Sequence, residues 1–173
     1  MPELLAYFIT FGCYGARLGA DAAYTVDRRR NAPGTAVDLP MTALLAHRTQ
    51  AMQAPPYELD ARRRRIVLAT IIQVCQHRGW FLLAAHVRTA HIHVVVGAPD
   101  VKPEPVMTAF KAYASRALNE ADLDPPGAKR WSRHGSTRYL WTQADVCSTM
   151  KYVLEEQGDQ MDVFLAETAG LIP

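Results

Sequence analysis

The run AHIHVVVGAPD (residues 90–100) places two imidazoles, His91 and His93, on either side of one isoleucine. The β-branched residues that follow, closed by Gly97 and Pro99, predict a buried strand ended by a turn. Side chains alternate along a strand, so His91, His93 and Val95 share one face while Ile92, Val94 and Val96 share the other. Two parallel imidazoles can bind a single cation through ring nitrogens. The competing reading is a pair of histidines individually hydrogen-bonded at a sheet edge, because a short H-x-H pattern is weak evidence on its own. His47, His77, His86 and His134 stand singly and read as surface or internally satisfied residues.

A cation held by two histidines is a Lewis acid in need of a nucleophile. Serine, the three cysteines, water and tyrosine are all candidates, and Tyr113 and Tyr152 stand out because both fall inside predicted helices in a polar context. Tyr113 sits at the flank of the stripe Met107, Phe110, Ala114 and Leu118, where a core-edge aromatic is the simpler reading. Tyr152, in ADVCSTMKYVLEEQGDQ, falls nearly opposite the stripe Val146, Met150, Val153 and Leu154, beside Asp145, Thr149 and Glu156. Glu156 follows it by four residues and shares its face. A helix laid over the histidine strand would bring a nucleophile and a third metal ligand together. An ordinary exposed tyrosine is the alternative.

These residues need elements to hold them. Residues 4–18 alternate as a strand, with Tyr7, Ile9 and Phe11 against Phe8, Thr10 and Gly12. Residues 19–57 are loop-rich, with one short helix expected near 41–50. The spacing of Val67, Ile71, Val74 and Cys75 predicts a helix over Leu59–His77, stopped by Gly79. WFLLAAHVR and HIHVVVGA read as a hairpin turning at Thr89 and Ala90. Pro103 and Pro105 open a helix over about 105–120. STRYLW reads as a short strand. Thr142 and Asp145 form a capping-box-like start for a third helix over 143–157, ended by Gly158, before a short amphipathic tail. The order β, α, β, β, α, (β), α predicts an α+β fold with a central antiparallel sheet and helices packed on it.

The 173 residues suffice for one domain with a core, expected over 1–173. The 49% hydrophobic and 21% charged content is ordinary for a globular chain. No apolar run is long enough for a membrane span, and no basic leader precedes one. Three scattered cysteines with no C-x-x-C suggest neither a cysteine zinc site nor a disulfide framework, which fits a reducing cytoplasm. The net charge of +2 argues nothing by itself. Arg62–Arg65 read as a solvated helix start. Lys129, Arg130, Arg133 and Arg138 lie among Trp131, Tyr139 and Trp141, a mixture suited to phosphate contact and base stacking; a polar loop of mixed composition is the alternative.

The histidine pair, and a helical tyrosine some sixty residues later with an amide or acid one turn beyond, resemble the single-tyrosine HUH transposases. These include the insertion-sequence 200-like enzymes and the REP-associated tyrosine transposases. HIH at 91–93 is similar to the family's His-hydrophobic-His motif. RYLW followed by MKYVLEEQG is similar to its C-terminal block, and the resemblance spans roughly residues 4–160. It implies a ferredoxin-like domain that nicks and rejoins hairpin-bearing single-stranded DNA through a 5′-phosphotyrosine, as a monomer or a homodimer. It implies a divalent cation, Mg2+ or Mn2+, on His91 and His93, with Tyr152 as nucleophile; Tyr113 is the fallback, at a spacing from the histidines much shorter than the family's. The third ligand departs from the pattern. The family's amide commonly stands four residues after the tyrosine, where this chain has Glu156, with Gln157 at five. Two other readings remain: a non-catalytic hairpin-DNA-binding descendant, and a metallo-hydrolase in which water attacks.

Overall fold

A computed structural model describes residues 3–16, 46 and 49–167. The expected helix near 41–50, His47 and the end of the expected tail lie largely or wholly outside the described residues. Five strands, β1 (Ala6–Cys13), β2 (Phe81–Val87), β3 (His91–Gly97), β4 (Trp131–Leu140) and β5 (Asp162–Leu165), form one sheet in the order β4-β1-β3-β2-β5. Every pairing is antiparallel. Three helices, α1 (Ala61–Arg78), α2 (Pro103–Glu120) and α3 (Gln143–Glu155), complete the described elements. The sequence β1-α1-β2-β3-α2-β4 with sheet order 4-1-3-2 is the ferredoxin-like arrangement. Helix α3 and strand β5 are added to it.

The helices begin and end for local reasons. The Asp60 carboxylate accepts the Arg63 N–H at the start of α1. Gly79, at φ 68°, terminates it in the left-handed conformation that a side chain would disfavour. Pro103 and Pro105 stand in the first turn of α2, where no intrahelical N–H is needed. The Thr142 hydroxyl caps α3 by accepting from the Asp145 N–H.

The alternation of the strands divides the molecule into two layers. On one side Ile9, Phe11, Ile92, Val94 and Val96 pack against α1 and α2 through Val67, Ile71, Phe110 and Leu118. Each such fully buried side chain contributes roughly 1.5–3 kcal/mol. On the other side Ala6, Leu83, Ala84, Val95 and Leu140 meet Val146, Met150 and Val153 of α3. Helix α3 thus has the second face of the sheet against it, and that is the face on which His91 and His93 stand.

Several expected bounds need correction, beginning with the strand expected over 4–18, which runs over Ala6–Cys13 and gives way to a turn at Tyr14 and Gly15 (φ 76°). Strand β4 starts at Trp131, five residues before the expected 136, because pairing with β1 orders a segment that has no apolar alternation of its own. Gly135 permits this approach: a Cβ there would stand 2.6 Å from the Thr10 carbonyl oxygen. Helix α3 ends at Glu155 rather than 157, with Gly158 (φ 77°) beyond its end. The segment expected as an amphipathic tail contains β5, which pairs with β2 from Ala84–Leu165 to Val87–Asp162.

Candidate nucleic-acid cleavage site

Register sets the site. Thr10 of β1 lies opposite His93, and Gly12 lies opposite His91. The His91 ring lies beside Gly12, where a Cβ would meet its Cδ2 at an ordinary contact distance of 3.4 Å. His93 is 8% exposed, with its Nδ1 3.0 Å from the Thr10 hydroxyl. That contact leaves Nε2 as the nitrogen of His93 able to ligate. Burial pushes the His93 imidazole down to about 4, helped by the neighbouring His91, His86 and Arg88. A neutral ring is the ligating form.

Phe8 links the histidines to α3. Its ring stacks on His93, with centroids 6.0 Å apart and 20° between planes, and meets Tyr152 edge-on at 6.1 Å and 85°. Tyr152 is 42% exposed, so its ring rests on the sheet while part of it stays open to solvent. Its neighbour one turn earlier, Thr149, is buried against the sheet rather than facing solvent. Tyr152 therefore stands at the flank of the packing seam, nearer the histidines than a position opposite that seam would be.

The two candidates for a third ligand lie just past the helix end. Glu156 is exposed, and its backbone N–H donates to the Tyr152 carbonyl. The Gln157 amide nitrogen lies 3.5 Å from that same carbonyl. Because α3 stops at Glu155, regular helical angles no longer decide which of them faces the histidines. Among the described residues, no group of three or more His, Cys, Asp or Glu side chains is gathered closely enough to hold a metal. The donor chemistry still fits a divalent cation, with two adjacent imidazoles, one of them held neutral, and a carboxylate and an amide just past the end of α3.

Tyr113 is on α2, behind the other face of the sheet. There the Arg116 guanidinium lies 5.0 Å over its ring. The sheet separates it from the histidine pair.

The cationic cluster divides. Arg130 is 5% exposed and donates to Asp124 and Asn119. Arg63 and the Tyr57 hydroxyl donate to the same Asp124 carboxylate. Burial works to raise the Asp124 pKa, but the hydrogen bonds from Arg130, Tyr57 and Arg63 prevail and hold it below the usual carboxylate value. Trp131 packs edge-on against Phe11 and donates its indole N–H to the Lys111 carbonyl and the Ser115 hydroxyl. Arg130 and Trp131 thus secure the 121–131 segment to the helices. Lys129, Arg133 and Arg138 are exposed. Arg138 lies opposite Phe8 in the sheet, with Asp145 3.9 Å from its guanidinium. Within the arginine run, Arg63 and Arg64 are paired with Asp124 and Asp162, while Arg62 and Arg65 are exposed.

His86, set aside in the sequence as a single histidine, stands opposite His93 and is fully buried. A hairpin turning at Thr89 and Ala90 pairs residues whose numbers sum to 179, which was enough to put 86 beside 93. Phe8 and Thr10 carried no comparable signal, since their importance comes from the pairing of β1 with a strand eighty residues away.

Paired histidines on one face of the sheet, with a helical tyrosine resting on that same face, make up the candidate site. Residues 57–157 match the family model described as Transposase IS200 like, and the chain belongs to that family. No curated protein matches the chain in sequence. Among solved structures, a REP-associated tyrosine transposase bound to a REP hairpin is similar at 13% identity and a TM-score of 0.47, over 89% of this chain and 67% of that one. Among the described residues, no helix is long and apolar enough to cross a membrane.

Proposed function

We propose that this transposase-family protein nicks and rejoins single-stranded, hairpin-bearing DNA through Tyr152. The observation that carries the reading is the shared sheet face on which Phe8 touches both His93 and Tyr152. The Tyr152 phenolic oxygen attacks the scissile phosphorus, and the bond from phosphorus to the 3′ oxygen breaks. The phenol loses its proton and the departing 3′ oxygen gains one, leaving a 5′-phosphotyrosine and a free 3′-hydroxyl. Attack by a 3′-hydroxyl reverses the step, so rejoining needs no external energy source.

His91 and His93, with Glu156 or Gln157, would hold a divalent cation, Mg2+ or Mn2+, which when bound supplies positive charge for the developing charge on phosphate and phenolate. Arg138, exposed on this face, and Lys129 and Arg133 along the same segment are suited to contact the DNA backbone. Arg130 and Trp131 serve that contact indirectly, by fixing the strand that carries it.

The test is incubation with end-labelled hairpin DNA in Mg2+ or Mn2+, followed by denaturing electrophoresis. A covalent protein–DNA band is expected from the native chain and from Tyr113→Phe, and none from Tyr152→Phe. Cleavage that persists without an adduct in Tyr152→Phe would instead assign the attack to water.

A further inference from the structure

We infer that His86 is the positioning residue for Tyr152, an inference that rests on the reading of Tyr152 as nucleophile. His86 lies on β2 with no exposure to solvent, and each of its ring nitrogens has one partner. Nδ1 is 2.9 Å from the Val153 carbonyl, and Nε2 is 3.1 Å from the Met161 backbone nitrogen. A carbonyl can only accept and a backbone N–H can only donate, so Nδ1 carries the proton and Nε2 the lone pair. His86 is a neutral ring of defined tautomer with no capacity left for a metal. It is therefore not a third ligand, although it stands beside His93.

What it holds is the last turn of α3. The final carbonyls of a helix lack intrahelical donors. Here the Glu156 N–H serves the Tyr152 carbonyl, and the chain then leaves the helix. Helix α3 has no basic residue in its last turn, and Glu156, at φ −106°, makes no left-handed cap. The next carbonyl, that of Val153, takes its donor from His86 across the layer. Through Nε2 the same ring secures Met161, where the chain turns back into β5. One buried side chain thus fixes both the turn that carries Tyr152 and the segment returning from it to the sheet.

Asn at this position can imitate the Nδ1 donor, whereas Gln imitates Nε2 and Leu imitates neither. With hairpin DNA in Mn2+, His86→Leu and His86→Gln should lose about a hundredfold in single-turnover adduct formation at saturating DNA, the cost of misplacing a reacting group by about 1 Å. DNA affinity should stay within about twofold of native, because the exposed cations are untouched. His86→Asn should recover most of the rate. A rate loss shared equally by Asn, Gln and Leu, or one explained wholly by weaker DNA binding, would overturn the inference.

Amide hydrogen exchange over residues 152–157 supplies a readout that needs no catalysis. Exchange should quicken in His86→Gln and stay native-like in His86→Asn. Equal protection in both overturns the positioning role even if the native chain forms an adduct. Conversely, an absent native adduct with the expected exchange pattern would sink the nucleophile reading and leave His86 as the anchor of that turn.

Discussion

The Thr10 hydroxyl lies 3.0 Å from Nδ1 of His93, across the junction of β1 and β3. A ligating histidine ordinarily has its second nitrogen fixed by such a partner, which sets the ring's tautomer and direction. Thr10→Val keeps the β-branched shape and removes the hydroxyl. Mn2+ affinity, measured by calorimetry, should fall by about tenfold or more, with little change in the DNA-binding constant measured without metal. Unchanged Mn2+ affinity would mean that the hydroxyl does not orient a ligand.

His93 also predicts an acid-sensitive fold. Its imidazole titrates at about 4 in the folded chain and at 6.5 when unperturbed. The unfolded chain therefore binds a proton in a range where the folded chain refuses one. Stability from this group is complete above 6.5, falls as pH drops toward 4, and changes no further below that. The loss is on the order of 3 kcal/mol. Denaturant unfolding in chelator should show it, and His93→Gln should flatten the profile over that window. Equal slopes for the two proteins would assign the acid sensitivity elsewhere.

Phe8 separates contact from chemistry. Phe8→Ala removes the ring against which both His93 and Tyr152 rest, and truncation of a packed Phe costs about 3 kcal/mol or somewhat less at this half-buried position. Adduct formation should drop by more than the folded fraction explains, while Phe8→Leu should keep the fold and lose part of the rate. Kinetics of the two variants at a temperature where both are folded would decide it. Rates that simply follow stability would make Phe8 a packing residue only.

Asp124 is where the opposite layer is vulnerable. Its carboxylate side chain is 5% exposed and receives Arg130, whose side chain is 4% exposed, together with Arg63. Asp124→Ala leaves the buried Arg130 guanidinium without its counter-charge, at a cost of about 3–5 kcal/mol, while Arg63 keeps Asp60. Thermal unfolding should show a large drop. Arg130→Met, which removes the charge with it, should recover part of the loss in the double variant. An additive double variant would contradict the coupling.

Local patterns made α1 and α2 legible, because each combines a helical apolar period with a cap or a proline start. The hairpin and the common face of His91 and His93 followed from alternation alone. The polar flank of α3 pointed to Tyr152, but not to its contact with Phe8, which depends on a strand far away in sequence. Arg130 and Arg133 look equivalent in the sequence. Only the fold of 121–130 sends one into a buried ion pair and leaves the other exposed. Strand β5 has four residues and a partner some eighty positions earlier, so no local period marks it. Gly158 looked like the stop of α3, yet it sits in the following turn, where Arg88 is its near neighbour.

Strand β1 serves two masters in strict rotation. Tyr7, Ile9, Phe11 and Cys13 anchor the core beneath α1 and α2, while Phe8, Thr10 and Gly12 furnish the ground on which the histidines and the tyrosine meet. A slip of one residue in its pairing would exchange both sets at once, burying the site and exposing the core. The integrity of the candidate site and the integrity of the fold are thus coupled through this strand. A chain that has paired β1 correctly has, in the same act, laid the floor of its site.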